Sequence, residues 1–125
     1  MYDSNNIFAK VLRGELPCKK VQEGLHHLAF HDLYPRADIH ILVIPKGPYI
    51  TYNDFILNAS HEEKDDLFKA VATIVKTYNL EKRGYKLHNN NLPGGGQHVP
   101  HFHMHILGWH EENAGAQAHH LTTEF

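Results

Sequence analysis

His101-Phe102-His103-Met104-His105-Ile106-Leu107-Gly108 is the stretch on which the fold of this chain turns. Histidines alternate with apolar residues at the period of a half-buried β-strand, where every second side chain shares a face. The spacing predicts a last strand over His98–Gly108, with three imidazoles on one side and Phe102, Met104 and Ile106 packed inward. At a rise of about 3.4 Å per residue, successive imidazoles on that face stand roughly 7 Å apart at their Cα atoms. Three such rings can surround one phosphate, one as nucleophile and the others as donors or orienters.

Just upstream lies Pro93-Gly94-Gly95-Gly96-Gln97. Glycines allow close backbone approach to a ligand, and successive N–H groups can form an anion-binding concavity. No Gly-Lys-Ser/Thr follows, so this is not a P-loop. Tyr85–Asn90 reads as a strand and Asn91–Gly96 as a loop. Farther back, Ser60-His61-Glu62-Glu63 matches a capping box. The stripe Leu67, Phe68, Val71, Ile74, Val75, Tyr78 then predicts a long helix, ended near Asn79 and Gly84. Ile39–Ile44 is β-branched and apolar on both faces, a central strand closed by Pro45. His40 interrupts it, where an unpaired imidazole is costly. It is either a satisfied core histidine or support for the His101 strand.

Lys19–Glu23 and His27–Asp32 have strand character, with Gly24 near the turn between them. Ile7, Phe8, Val11 and Leu12 predict a short first helix capped by Asp3 or Ser4 and ended by Gly14 and Pro17. This element order argues an α+β fold with a mostly antiparallel sheet. A length of 125 residues suits a single domain, 1–125, with its core in about 5–108 and a weakly patterned tail over 109–125.

The formal charge of -2 gives no electrostatic reason to expect nucleic acid or an anionic membrane as partner. The lone cysteine, Cys18, excludes an intrachain disulfide and a CxxC metal knuckle. No stretch is long and apolar enough for a membrane span, and the polar N-terminus shows no leader pattern, so the cytoplasm is the expected location. Imidazoles two apart on a strand can also ligate zinc. The sequence offers no acidic or thiol ligand near the cluster, so a metal site is the weaker reading.

The segment His101–Leu107 resembles the signature of the histidine triad (HIT) family, His-φ-His-φ-His-φ-φ with φ apolar. The similarity extends through Gly95-Gly96-Gln97, Asn90, His40–Lys46, Phe30–Pro35, Glu15-Leu16-Pro17 and Ile7–Lys10. The nearest branch is the Hint-like one, purine nucleoside phosphoramidases and related nucleotide hydrolases. The resemblance implies a five-stranded antiparallel sheet with one long and one or two short helices, in a homodimer with a continuous sheet. It implies His103 as nucleophile toward the α-phosphorus of a nucleoside 5′-phosphoramidate and His105 as phosphate stabiliser. His101 and His40 would hold the nucleophile's ring. Asn90, Gly96 and Gln97 match phosphate- and ribose-contacting positions, His98 and Val99 further nucleotide-binding ones, and Asp32 the ribose ligand. Ile7, Phe8, Val11, Phe30, His31 and Leu33 match the wall of a purine pocket for AMP or GMP conjugates. No metal or other cofactor is required. His98 replaces a serine common in this branch, and Gly108-Trp109-His110 replaces Gly-Gly-Arg, so the leaving group is left open. In this branch the C-terminal tail shapes the partner subunit's site.

The leading expectation is thus a metal-independent phosphoramidase. Its rivals are a dinucleoside polyphosphate hydrolase, a nucleotide-binding regulatory protein with slow turnover, and a metalloprotein.

Overall fold

The computed structural model describes residues 1–113. The part of the tail from 114 to 125, and with it the tail's expected role at a partner's site, lies outside the described residues. Five strands, β1 Lys20–Glu23, β2 His27–His31, β3 Ile39–Pro45, β4 Lys86–His88 and β5 Met104–Gly108, form one sheet in the order β1-β2-β3-β5-β4. All neighbours are antiparallel. The α-helices are α1 Ile7–Leu12, α2 Tyr52–Asn58, α3 His61–Thr77 and α4 Leu80–Arg83. The expected α+β fold with a five-stranded antiparallel sheet and one long helix is the one observed. Among the described residues the short α-helices number three, where one or two were expected.

The apolar content of β3 on both faces follows from what covers it. Ile39, Ile41 and Val43 join Ile106 on one face and pack against Leu67, Val71 and Ile74 of α3. Leu42 and Ile44 join Leu28 and Phe30 on the other and pack against Phe8 of α1. A strand buried twice cannot alternate apolar with polar residues. The capping box closes as expected: Glu63 N–H donates to Ser60 Oγ at 3.1 Å and Ser60 N–H to Glu63 Oε1 at 3.0 Å.

Three sequence expectations need correction. The cap of α1 is Asn6, not Asp3 or Ser4, because its amide serves both ends. Oδ1 accepts from Ala9 N–H at 2.9 Å, and Nδ2 donates to Asp3 O at 2.7 Å. Helix α2, capped by Thr51, was not anticipated, since seven residues are too few to show a period. Most consequentially, the last strand begins at Met104, not His98. Pro100 has no N–H to give a ladder, and the amides of His101 and Phe102 turn to Val99 O and Tyr49 O, at 2.8 and 2.7 Å. His101 and His103 therefore stand on a loop before β5, and only His105 lies within the strand.

Candidate active site

Helix α1 covers its face of the sheet only in part. Between helix and sheet lies a cavity of about 680 Å³. Its floor is Phe30 and Leu42 from β2 and β3, and one wall is Ile7, Phe8 and Val11 of α1. Ile7 is 55% exposed, so it walls the cavity and adds little to the core. At the opposite end stand His103 and His105, with Asn90, Gly96, His98 and Val99. His31 at the end of β2, with Asp32 and Leu33 just after it, completes the lining. Every expected nucleotide-contacting residue except Gln97 thus lines one cavity, although the His31 ring itself turns to the α3 face and meets Tyr78 edge-on, centroids 6.5 Å apart.

Gln97 does something else. Its Nε2 donates to Ile50 O at 2.7 Å and its Oε1 accepts from Leu92 N–H at 2.6 Å. Leu92 has φ 62°, a conformation costly for a branched residue, and this amide clamp holds it there. Gln97 therefore shapes the glycine loop and does not face the ligand. Of the three loop glycines only Gly96 reaches the cavity, at φ 81°, where a side chain would be strained.

The histidines divide into two pairs with separate jobs. His103 is buried, and its Nδ1 lies 2.7 Å from His101 O. A carbonyl only accepts, so Nδ1 carries the proton and Nε2 keeps a free lone pair on the cavity side. Phe8 packs edge-on against this ring, centroids 5.0 Å apart. His101 does not line the cavity. Its Nε2–H donates to Pro45 O at 2.8 Å, and its Nδ1 accepts from Tyr2 OH at 2.6 Å. The three imidazoles therefore do not share a face around one ligand: His103 and His105 face it, and His101 stands behind.

His40 pairs with His105 and not, as expected, with His103. Arg36 N–H donates to His40 Nδ1 at 3.1 Å, which leaves the proton of the neutral ring on Nε2. That Nε2–H points to His105 Nδ1 at 2.9 Å. His105 must then carry its own proton on Nε2, toward the cavity. The result is one lone pair and one N–H donor side by side, with ring centroids 5.0 Å apart. Asp32 Oδ2 lies 3.4 Å from His40 Nε2. The sequence expectation that no acidic group approaches the cluster is thereby corrected: Asp32, His40 and His105 offer three polar atoms within 4.8 Å of one another. They are separated along the chain, and only strand pairing joins them.

A family model of the HIT domain matches residues 13–112. A HIT-like protein of Azospirillum brasilense is 48% identical over 106 residues, covering 85% of this chain and 87% of that protein. The chain belongs to the HIT family. A purine nucleoside phosphoramidase of Escherichia coli K12 is 38% identical over 103 residues, covering 82% of this chain and 85% of that enzyme. The crystal structure of a HIT family hydrolase from Legionella pneumophila superposes with a TM-score of 0.77 at 36% identity, covering 83% of this chain and 92% of that one. Among the described residues, no helix of this HIT domain is long and apolar enough to cross a membrane.

Sequence reasoning missed several groups. Leu16, Pro17 and Cys18 wall the cavity, and Tyr34 and Arg36 stand on its rim. Leu16-Pro17 and Tyr34 lay inside the family resemblance and could have been placed there; Cys18 and Arg36 gave no signal. Asn89 donates to His103 O at 3.1 Å and braces the His103 backbone.

Burial pushes His101 down to about 4 and His105 to about 3, and lowers His103 and His40 in the same direction. All four rings are therefore neutral at physiological pH, as the hydrogen bonds require. A depressed imidazole gives a definite sign to acid stability. Below about 6.5 the unfolded chain binds protons that the folded state refuses, so stability is full above that pH and falls as the pH drops toward 4. His101 alone accounts for about 3 kcal/mol of this loss. Thermal unfolding between pH 7 and pH 4 should show the decline, with a shallower slope in His101→Gln. Equal slopes would remove His101 as its source.

Proposed function

We propose that the protein hydrolyses purine nucleoside 5′-phosphoramidates or related nucleotidyl conjugates by way of a nucleotidyl-histidine. The observation that carries this reading is the lone pair of His103 Nε2 beside the Nε2–H of His105 in one cavity. His103 Nε2 attacks the α-phosphorus, the bond to the leaving amine breaks, and the amine departs with a proton taken from solvent, directly or through His98, which the hydrolytic water of the next step returns. Water then attacks the phosphorus, the phosphorus–nitrogen bond to His103 breaks, and nucleoside monophosphate leaves. In both steps His105 Nε2–H meets the charge developing on a phosphoryl oxygen. Neutral imidazole is a competent nucleophile at pH 7, and once phosphorylated a good leaving group.

The apolar slot of Ile7, Phe8, Phe30 and Leu33 suits the flat face of a purine, and Asp32 suits ribose hydroxyls. The reaction needs no metal on this reading. A metal would require the lone pair of His40 Nε2, and the Arg36 amide on Nδ1 reserves that position for a proton. Chelator should leave turnover unchanged. A homodimer with a continuous sheet is part of the reading: β4 is an edge strand, and Leu87 within it and Tyr85 just before it are about half exposed.

A second reading, dinucleoside polyphosphate hydrolysis, draws support from Arg36 on the rim, where a further phosphate would meet a guanidinium. Side-by-side turnover of adenosine 5′-phosphoramidate and diadenosine polyphosphates decides between them. Faster phosphoramidate cleavage supports the first reading, and the reverse order replaces it with the second.

His98 is exposed and faces the cavity, so it can offer its imidazole to a leaving amine. His98→Ser should shift the pH–rate profile and change the rate by about tenfold to a hundredfold at most, because His105 and water can still supply a proton. An unchanged profile would reduce His98 to a bystander.

A further inference from the structure

The residue that nothing so far assigns is Tyr2. Its hydroxyl donates to His101 Nδ1 at 2.6 Å, and its ring meets the imidazole edge-on, centroids 5.6 Å apart. His101 is wholly buried and clamped at both nitrogens, by Tyr2 on one side and Pro45 O on the other. With both bonds made, the ring has a single tautomer and a single orientation. Its own carbonyl is the acceptor for His103 Nδ1–H. A continuous line of contacts therefore runs from the Tyr2 hydroxyl to the nitrogen that fixes the nucleophile.

Tyr2 is itself held in place. Asn5 N–H donates to Asp3 Oδ1 at 2.8 Å, Asn6 Nδ2 to Asp3 O at 2.7 Å, and Arg13 Nη1 to Ser4 O at 2.7 Å. These bonds tie the N-terminal turn to α1. The same helix places Phe8 edge-on against both His101 and His103, at 6.2 and 5.0 Å. The turn, the helix and the back of the triad thus form one packed unit. Burial alone would leave His101 free to rotate or exchange tautomers, whereas two directed hydrogen bonds forbid both.

We propose that Tyr2 is a positioning residue for His103, acting through the imidazole and carbonyl of His101. The proposal rests on the reading of His103 as nucleophile. Reaction rate depends steeply on the placement of the attacking atom, and small displacements cost large factors.

The test is Tyr2→Phe, which keeps the ring packing and deletes only the hydroxyl, beside Tyr2→Leu, which deletes both. In Tyr2→Phe, kcat on adenosine 5′-phosphoramidate should fall about tenfold to a hundredfold with KM within about twofold. The acid limb of the pH–rate profile should also move to higher pH, since the freed His101 Nδ1 lone pair takes a proton more readily. Nitrogen NMR of the substrate-free protein supplies an arm independent of the reaction. In the wild type it should show His101 protonated at Nε2 and accepting at Nδ1, with a sharp His103 Nδ1–H; Tyr2→Phe should alter the His101 signal and broaden that of His103. A Tyr2→Phe protein with unchanged kcat and pH profile overturns the proposal. So does an unaltered His103 signal, even if the wild type cleaves no phosphoramidate and the functional reading itself falls. Equal rises in KM and falls in kcat across both variants would mark a merely structural contact, and also overturn it.

Discussion

A His103→Ala variant is expected to lose about 10⁴-fold or more of kcat on adenosine 5′-phosphoramidate while still binding AMP. The expectation follows from the division of labour in the site. His103 Nε2 holds the lone pair that faces the cavity, because Nδ1 is committed to His101 O. His105 cannot take over, since its Nδ1 is engaged by His40 and its Nε2 carries a proton. His101 cannot either, as both its nitrogens are bonded and it lies behind the cavity. The groups that would hold base and ribose, Phe8, Phe30 and Asp32, are separate side chains and stay in place. Calorimetric titration with AMP and single-turnover kinetics on the same preparation read both halves. Retention of even about a tenth of the activity would mean that another group forms the covalent bond.

Phe102→Ala is expected to destabilise the fold by about 3–5 kcal/mol. Phe102 stands between two histidines of the triad yet belongs wholly to the core. It is fully buried and stacks on Phe55, centroids 4.8 Å apart and planes inclined by 13°. Phe55 in turn packs edge-on against Tyr49 and Phe68. Removing one ring of a stacked, fully buried pair leaves a void beside Phe55 that the close-packed surroundings fill only in part. For a domain of this size the loss lowers Tm by about 10–20 °C. Denaturant unfolding checks it, and a loss under about 1 kcal/mol would show that the site relaxes around the missing ring. Since Phe102 joins His101 to His103, lost packing should also slow turnover in the surviving folded protein.

The sequence determined what depends on neighbours along the chain. The capping box and the stripe of α3 are periodic and local, so Ser60, Glu63, Leu67, Val71 and Ile74 could be read directly. The double burial of β3 was legible because five of the six positions Ile39–Ile44 are apolar, on both faces, and leave few other elements possible. The triad motif, with the residues in register around it, identified the family and named most of the cavity lining.

What only the tertiary structure decided lies in contacts between distant segments. Alternation suggested that three histidines share a strand face, but Pro100 and the amide bonds to Val99 O and Tyr49 O delay the strand until Met104, so that only His105 lies in it. The three rings consequently have different partners and different roles. His40 serves His105 because β3 and β5 pair with Leu42 opposite His105, which sets His40 diagonally across from it on the same face. Asp32 reaches the cluster for the same reason, at the end of β2 beside β3. Tyr2 reaches His101 across 99 positions of sequence. Propensity and periodicity carry no information about such pairings. They are fixed by strand register and by the directional demands of buried imidazole nitrogens, each of which must find a partner once water is excluded.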